Sequence, residues 1–355
     1  MPPRARVLVV DDSVVVRQFL AERLSTEPDI EVIGVAANGR IALAKLAHRT
    51  ADVLILDVEM PELDGLATLR ELRQRPQSPR VIMFSAHTTA QARATVDALA
   101  LGAEDCVAKP SNLGGSPLAQ VAAVTALLDR IRMLSRSSTT PRAVQASPQV
   151  AGARTLASPM GRSTIEIVAI GASTGGPNAL CQVFSRLPAR FPVPVVIVQH
   201  MPVGFTKPFA ERLQRESNIS VEEGSEGTLL APGKAWVAPA GRHMEVRRGR
   251  NGTSLHLHDA PPVWSCRPAV DVLFASVATA FPSGVLGVIM TGMGEDGRQG
   301  SMAIRRAGGS VIIQDQASSV VWGMAGAVAS AGLAEAILPI DELGDEIVRR
   351  VRRGA

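Results

Sequence analysis

The chain has 355 residues, a length that suggests two domains at about 150 residues each. Hydrophobic residues make up 46% and charged residues 20%, which excludes a fully disordered chain because enough apolar surface exists to form a core. The aromatic content is only 3%, with no Tyr, which argues against a surface that stacks single-stranded nucleic acid. The formal net charge of +4 is small for this length, so we expect no specific nucleic-acid partner.

The cysteines and the apolar runs bear on the cellular compartment. Cys106, Cys181 and Cys266 show no CxxC pair and no metal-type spacing, so neither a disulfide framework nor a zinc site is indicated. The N-terminus reaches Asp11 and Asp12 after a short apolar run, unlike a signal peptide. No apolar run reaches the roughly 18 residues that a membrane span needs. We therefore expect a cytoplasmic protein that is not inserted in a membrane.

The first part of the chain alternates short apolar runs with segments of helical period. The predicted strands cover 6–10, 31–36, 53–56, 81–84 and 105–108, and the predicted helices 14–25, 39–48, 65–74, 89–101 and 117–134. Strands that are apolar throughout are buried on both faces, which is typical of a parallel sheet. Five successive βα units predict a doubly wound, flavodoxin-like α/β domain over residues 1–134.

Residues 135–163 predict a flexible linker. The segment is rich in Ser, Thr, Ala, Pro and Arg and has no apolar periodicity. No acidic residue occurs between Asp129 and Glu166, and we interpret the arginines there as solvated rather than as a nucleic-acid patch.

The βα rhythm resumes in the second part of the chain, with a more irregular middle over 220–264. The predicted strands cover 165–170, 193–199, 284–290 and 310–313, and the predicted helices 177–187, 268–281, 297–307, 323–331 and 340–353. A right-handed parallel sheet is again favoured. The pattern predicts a second doubly wound, Rossmann-like α/β domain over residues 164–355.

Side chains that suit phosphoryl chemistry follow the predicted strands of the first domain. They are Asp11, Asp12, Asp57, Ser85 and Lys109. The carboxyl ends of parallel strands share one edge of a sheet, so we expect these side chains to lie together. Three converging carboxylates favour a divalent cation, and oxygen ligands suit Mg²⁺. The hydroxyl and the ammonium group opposite them are placed to bind phosphoryl oxygens.

These residues lie in segments that resemble the receiver domain of two-component response regulators: VVDDS, LDVEMPELDG, SA at 85–86 and KP at 109–110. The resemblance implies that a sensor histidine kinase phosphorylates Asp57. It also implies that Ser85 and Lys109 sense the phosphoryl group.

The same resemblance implies a ligand set for Mg²⁺. Asp12, Asp57 and the backbone carbonyl of Glu59 would bind the ion, with Asp11 acting through water. Cys106 stands where the family usually has an aromatic switch residue, and a small thiol cannot swing in the same way.

A candidate nucleophile, Ser173, lies in the sequence GASTGG directly after a predicted strand. The G-x-S-x-G spacing is typical of a sharp strand-to-helix turn that exposes a serine hydroxyl. The N-terminus of the following helix favours developing negative charge. The turn alone fits a phosphate or nucleotide site as well as serine catalysis, although the G-x-G-x-x-G pattern of dinucleotide sites is not satisfied.

Two further strand ends favour catalysis. His200 and Asp296 each lie just past a predicted strand of the second domain, where a triad with Ser173 could form. His200 would deprotonate Ser173, and Asp296 would hold the imidazole and stabilise its cation. The glycines around Met293 leave its backbone N–H free to face an oxyanion. The order Ser, His, Asp disfavours an α/β-hydrolase, in which the order is Ser, Asp, His.

The second domain resembles the CheB family of chemotaxis protein-glutamate methylesterases in GASTGGP, QHMP, FTKPFAERL, RPAVDVLF, MTGMGEDG and QDQASSVVWGM. The resemblance implies hydrolysis of glutamate methyl esters on methyl-accepting chemotaxis receptors, with deamidation of receptor glutamines, by a phosphorylation-activated enzyme that serves adaptation. The esterase site itself would need no cofactor. The sequence departs from the family at Trp264 and Cys266, where Asn and His are common, which bears on receptor preference.

Two other functions remain open from the residues. A receiver-linked DNA-binding regulator is suggested by the arginines of the linker and of the tail over 349–353, although no compact helix-turn-helix is visible. An adaptor without esterase activity is suggested by the unusual Cys106, Trp264 and Cys266.

Overall fold

The computed structural model describes residues 3–86, 88–110, 117–137 and 164–353. Most of the predicted linker lies outside the described residues. Its first three positions extend the last helix of the N-terminal domain, which runs to Ser137. The linker and the exact domain boundaries therefore stay predictions.

The N-terminal domain is a single parallel sheet flanked by helices. Its strands are β1 (Ala5–Val10), β2 (Ile30–Ala36), β3 (Val53–Leu56), β4 (Arg80–Ser85) and β5 (Asp105–Ala108). Its helices are α1 (Val14–Ser25), α2 (Gly39–Leu46), α3 (Gly65–Arg73), α4 (Thr89–Ala100) and α5 (Pro117–Ser137). The strand order is β2-β1-β3-β4-β5 with parallel pairing, which confirms the flavodoxin-like prediction.

Side-chain caps begin four of these helices, and three of the caps lie within three residues of the preceding strand. Each cap accepts a hydrogen bond from a backbone N–H in the first turn: Ser13 for α1, Asn38 for α2, Asp64 for α3 and Thr88 for α4. The loops that lead from β1, β2 and β4 into the next helix are therefore short, whereas the loop after β3 has eight residues. The side chains that follow the strands lie at one edge of the sheet because the strands are parallel.

The C-terminal domain has a larger parallel sheet and a separate hairpin. Its strands are β6 (Ile167–Ala172), β7 (Val195–Gln199), β8 (Ser220–Glu223), β9 (Lys234–Val237), β10 (His243–Gly249), β11 (Gly252–His258), β12 (Val285–Ile289), β13 (Ser310–Gln314) and β14 (Ala336–Leu338). Its helices are α6 (Gly176–Arg186), α7 (Thr206–Arg215), α8 (Val270–Ala280), α9 (Arg298–Arg306), α10 (Met324–Ser330) and α11 (Ile340–Arg353). The seven-stranded sheet has the order β14-β13-β12-β6-β7-β9-β8, which confirms a second doubly wound domain.

The prediction of an irregular middle over 220–264 is wrong. Strands β8 and β9 extend the parallel sheet, and β10 pairs with β11 as an antiparallel hairpin. The strands β8 and β9 have only four residues each and the sequence of β8 is SVEE, so they lack the long apolar run of the central strands. Helix α7 was also missed.

Two apolar clusters cover the two faces of the larger sheet. One joins α6, α7 and α11 to alternate residues of β6, such as Val168 and Ile170. The other joins α8, α10 and the hairpin to Ile167 and Ala169. Burial on both faces explains why the central strands are apolar throughout.

The two domains contact each other through α4 of the first and α6 and α7 of the second. Val96 of α4 belongs to the apolar cluster of the C-terminal domain. Phe205, just before α7, belongs to a cluster of the N-terminal domain. Among the described residues, no helix is both long and apolar enough to cross a membrane.

Candidate active site

Ser173 lies in the sharp turn between β6 and α6. Its backbone N–H donates to the carbonyl of Thr291 at 3.0 Å, and Gln199 Nε2 donates to the Ser173 carbonyl at 2.9 Å. Gly175 has a φ of 77°, in the left-handed region that favours glycine. Both neighbouring strand ends therefore hold the turn, and Ser173 is 7% exposed.

His200 and Asp296 are hydrogen-bonded to each other at the same sheet edge. The His200 N–H donates to the Ala172 carbonyl at 3.0 Å, and His200 Nε2 lies 2.8 Å from Asp296 Oδ2. The buried Asp296 carboxylate also accepts the N–H groups of Val270 at 2.7 Å and Asp271 at 2.9 Å. These donors open helix α8, whose positive end stabilises the carboxylate.

The surroundings of His200 favour its protonated form. Burial acts to lower the pKa of the imidazole, but the hydrogen bond to Asp296 and the contact with the Cys266 thiol outweigh burial. The result is a pKa of His200 raised to about 10. The arrangement thus stabilises the imidazolium that would form when His200 takes a proton from a serine.

The structure places Ser173 and His200 at the same sheet edge, but their side chains are not hydrogen-bonded to each other. Among the described residues, no hydrogen bond joins the Ser173 hydroxyl to His200. The second ring nitrogen, Nδ1, instead faces Cys266 Sγ at 3.7 Å. Such catalytic hydrogen bonds often form only when substrate is bound.

Met293 lies beside the nucleophile. The preceding Gly292 packs so closely that a Cβ there would lie 2.8 Å from the Ser173 Cβ. The Gly292 N–H is bonded to the Val321 carbonyl at 2.9 Å, whereas the N–H of Met293 donates to no acceptor in the part of the chain that the structure describes. That donor is available to a developing oxyanion.

The acidic site of the N-terminal domain forms around Lys109. Its Nζ lies 2.7 Å from Asp11 Oδ2 and 2.7 Å from Asp57 Oδ2. Burial raises the pKa of Asp57 to about 6 although Lys109 acts to lower it, and burial likewise raises the pKa of Asp11. Ser85 is fully buried at the end of β4, and its carbonyl accepts the Lys109 N–H at 2.7 Å.

The donor set of this site fits Mg²⁺. Asp11, Asp12 and Asp57 each offer a carboxylate oxygen, and these atoms all lie within 4.8 Å of one another. Oxygen donors are the ligands that Mg²⁺ prefers. The Glu59 side chain is not part of this group and accepts a hydrogen bond from Gln91 Nε2 at 2.7 Å. The role of its backbone carbonyl as a ligand, which the family resemblance implies, stays a prediction.

Hydrogen bonds join the two domains next to Ser173. Thr174 Oγ1 donates to Asp105 Oδ2 at 2.5 Å, and the Gly175 N–H donates to the Glu104 carbonyl at 3.0 Å. Arg130 Nε donates to the same Asp105 oxygen at 2.9 Å. Met293, Val320 and Val321 pack against an apolar cluster of the N-terminal domain. The N-terminal domain therefore covers the turn that carries Ser173.

Family models match both domains of the chain. Residues 168–347 match the model described as CheB methylesterase, and residues 7–115 match the response regulator receiver domain. The chain belongs to the CheB methylesterase family. The part that would have to bind DNA in a receiver-linked regulator thus falls within the match to the esterase model.

Relatives of this CheB family chain match over nearly its whole length. A protein named protein-glutamate methylesterase/protein-glutamine glutaminase from Trichodesmium erythraeum is 47% identical over 98% of this chain and 99% of its own. A second protein, named protein-glutamate methylesterase/protein-glutamine glutaminase 2, from Caulobacter vibrioides, is 43% identical over 98% of this chain and 99% of its own. The crystal structure of the Thermotoga maritima CheB methylesterase catalytic domain is 36% identical, with a TM-score of 0.52, and the match covers 52% of this chain and 98% of that one.

Two positions where this CheB family chain departs from the common pattern have different surroundings. Cys106 is buried within β5, and burial raises the pKa of its thiol, so the thiol is not activated. Trp264 is 50% exposed, and its Nε1 donates to Asp271 Oδ2 at 2.9 Å.

Sequence reasoning missed Asp271, which supports the candidate active site. Asp271 Oδ1 accepts the N–H groups of Gly297 at 2.9 Å and Gly300 at 2.7 Å, at the start of α9. Asp296, which precedes α9, thus stabilises the N-terminus of α8, and Asp271, which lies in α8, stabilises the N-terminus of α9. Asp271 lies in the first turn of a predicted helix, where acidic residues are common, so the sequence gives no sign of its role. Only its hydrogen bonds to the start of α9 reveal that role.

Proposed function

We propose that this protein hydrolyses glutamate methyl esters on chemoreceptors, releasing methanol, and deamidates receptor glutamines by the same site. The observation that carries the proposal is the meeting of Ser173, His200 and Asp296 at one sheet edge. The names of the full-length relatives from Trichodesmium erythraeum and Caulobacter vibrioides supply the reaction and the substrate class.

In the proposed reaction Ser173 Oγ attacks the side-chain carbonyl carbon of the esterified glutamate. Its proton passes to the neutral form of His200, at the ring nitrogen that Asp296 does not bind, and Asp296 stabilises the resulting cation. The Met293 N–H donates to the oxyanion. When the tetrahedral intermediate collapses, the C–O bond breaks and methanol leaves with the proton from His200.

Water then cleaves the acyl-enzyme in a second reaction of the same kind, in which water is the nucleophile and Ser173 is the leaving group. His200 takes a proton from water, the hydroxide attacks the acyl carbon, and Ser173 leaves with the proton, which frees the glutamate carboxylate. A glutamine substrate releases ammonia in the first step instead of methanol. One set of residues therefore serves both reactions.

The receiver domain is proposed to control this site through Asp57. Asp57 would accept a phosphoryl group from a sensor histidine kinase, and Asp11, Asp12, Asp57 and the Glu59 carbonyl would hold Mg²⁺ directly or through water. The ion would neutralise charge on the phosphoryl oxygens. Lys109, which now bridges Asp11 and Asp57, and Ser85 would contact the phosphoryl group.

In the resting state the docked receiver domain would keep receptor helices away from Ser173. The hydrogen bonds from Thr174 to Asp105 and from Gly175 to Glu104 support this arrangement. Phosphorylation would favour undocked molecules by changing the contacts of Lys109 at the end of β5. The proposed partners, a sensor kinase and the cytoplasmic signalling helices of chemoreceptors, place the protein in the cytoplasm.

Methanol release from methylated chemoreceptor membranes tests the proposed reaction. We expect release by the unmodified protein and none above background by Ser173→Ala, because the substitution removes the attacking oxygen. A protein that releases no methanol with or without phosphorylation would contradict the proposal and favour an adaptor. Equal release by Ser173→Ala would show that another group is the nucleophile.

A further inference from the structure

A thiol, an imidazole and a carboxylate meet at the candidate active site. Cys266 Sγ lies 3.7 Å from His200 Nδ1, and Asp296 Oδ2 lies 2.8 Å from His200 Nε2. The three side chains each offer a ligand atom, and these atoms lie within 4.8 Å of one another. The sequence shows no metal motif because Cys266 and His200 are 66 positions apart, so only the fold brings them together.

Cys266 is held in place by a tight two-residue turn. The backbone groups of Val263 and Cys266 are hydrogen-bonded to each other in both directions, at 3.1 and 2.8 Å. Trp264 and Ser265 between them have positive φ angles of 52° and 59°, which non-glycine residues rarely adopt. The bond from Trp264 to Asp271 fastens the turn to α8. The thiol is therefore positioned beside His200 while remaining partly exposed to solvent.

These three donors suit Zn²⁺. Thiolate sulfur, imidazole nitrogen and carboxylate oxygen are the ligands of zinc sites, with tetrahedral bonds of about 2.0–2.3 Å. Such bonds place neighbouring ligand atoms about 3.3–3.6 Å apart. The ion would bind one of the two ring nitrogens, so the 2.8 Å imidazole–carboxylate pair would open, and ligand atoms that now lie up to 4.8 Å apart would approach by about 1 Å. Asp296 would keep its hydrogen bonds to the start of α8, which orient it as a ligand.

We propose that His200, Cys266 and Asp296 bind Zn²⁺ and that the bound ion switches the esterase off. On binding, a Zn–S bond forms and the thiol proton passes to solvent. The imidazolium proton on the ligating nitrogen also passes to solvent. That nitrogen donates its lone pair to the ion, and the other ring nitrogen carries the remaining N–H. That nitrogen cannot accept the Ser173 proton. The inhibition rests on the proposed function, whereas the binding of the ion does not.

Cobalt provides a test of binding that does not depend on activity. Co²⁺ titrated into the full-length protein should produce a near-ultraviolet thiolate-to-cobalt band that saturates at one ion per chain. Cys266→Ala should abolish the band, and Cys181→Ala, which removes a buried thiol of α6, should retain it. Carboxylates of the receiver domain offer only oxygen and would add no such band. Absence of the band from the unmodified protein, or its persistence in Cys266→Ala, would overturn the proposal.

Zinc inhibition is measured on the same variants, each relative to its own zinc-free rate. Methanol release should fall as Zn²⁺ is added and return with a chelator. The zinc concentration for half-inhibition should rise at least about 10-fold in Cys266→Ala and stay unchanged in Cys181→Ala. Equal sensitivity in all three proteins would refute the inhibitory site. A cobalt band in a protein that never releases methanol would support the metal site and count against the proposed function.

Discussion

The carboxylates of Asp271 and Asp296 stabilise helix starts as well as the site. Asp296 accepts two N–H groups of α8, and Asp271 accepts two N–H groups at the start of α9. Only Asp296 also touches His200. Burial raises the pKa of Asp271, opposed by the N–H donors and by Trp264. Substitution of Asp296 should therefore affect catalysis, whereas substitution of Asp271 should mainly affect the stability of the fold.

Asp296→Asn should lower kcat by about 10⁴-fold, because an amide cannot hold the imidazole in the required tautomer or stabilise its cation. Asp271→Asn should lower the melting temperature while reducing kcat far less, since Asp271 does not contact His200. The measurement is methanol release with a parallel thermal unfolding curve. An Asp296→Asn enzyme with nearly full kcat would show that His200 works without this partner.

Gly292→Ala should disable the nucleophile. The added Cβ would lie 2.8 Å from the Ser173 Cβ and would also meet Met324 Sδ, so the turn that carries Ser173 must move. We expect loss of methanol release and destabilisation by about 1–3 kcal/mol, the usual result of overpacking. Gly249→Ala is the matched control, because its Cβ would meet only the Gly252 carbonyl at 3.6 Å. Full activity in Gly292→Ala would contradict the close packing.

Residue patterns could predict the side chains that follow strands but not those that reach the site from loops. Ser173, His200 and Asp296 could be predicted as candidates because they follow apolar strands, and parallel strands end at one edge. Cys266 reaches His200 from a turn with positive φ angles, and no periodicity marks such a turn. Asp271 lies within a helix and has no signal of its own.

Strand β5 connects the two candidate sites directly. Lys109 follows its C-terminal end and contacts Asp11 and Asp57, while Asp105 begins it and bonds Thr174. The strand has only four residues. A change in the contacts of Lys109 is therefore only a few residues away from the bond beside Ser173.

Asp105→Ala should raise methanol release in the absence of phosphorylation. The substitution removes the acceptor of the Thr174 hydroxyl, and a hydrogen bond to a charged group contributes about 1.5–3 kcal/mol. If docking limits the resting rate, the rate should rise by about 10-fold or more. Arg93→Ala is the control, because its bond to Glu211 is exposed and contributes at most about 1 kcal/mol. A resting rate unchanged by Asp105→Ala would contradict a role for this contact in restraint.

The elements that the sequence missed are short or polar. In the hairpin β10–β11 the buried residues are interrupted by half-buried or exposed ones, and β8 has a single buried position, Val221. Helix α7 has only three buried apolar side chains besides Pro208, and most of its other residues are charged or polar. The central strands were predicted because burial on both faces makes them continuously apolar.

At the scale of the whole molecule, the contact between the domains places the receiver over the nucleophile. Asn178 Nδ2 donates to the Leu99 carbonyl at 2.6 Å, and Arg212 Nη1 donates to the Val96 carbonyl at 3.3 Å. Arg212 is nearly buried and also bonds Asn178. These bonds join backbone carbonyls in the second half of α4 to side chains of α6 and α7. Composition and periodicity predicted two domains, but they carry no information on which surfaces meet.

The measurement that tests the account most directly is methanol release by the full-length protein with and without a small-molecule phosphodonor and Mg²⁺. Receptor membranes are the substrate, and Asp57→Asn and Ser173→Ala are the controls. We expect a low resting rate that rises with phosphodonor only when Mg²⁺ is present, remains low in Asp57→Asn, and vanishes in Ser173→Ala. A rate that is the same with and without phosphodonor, or that rises equally in Asp57→Asn, would contradict control of the esterase by the receiver domain.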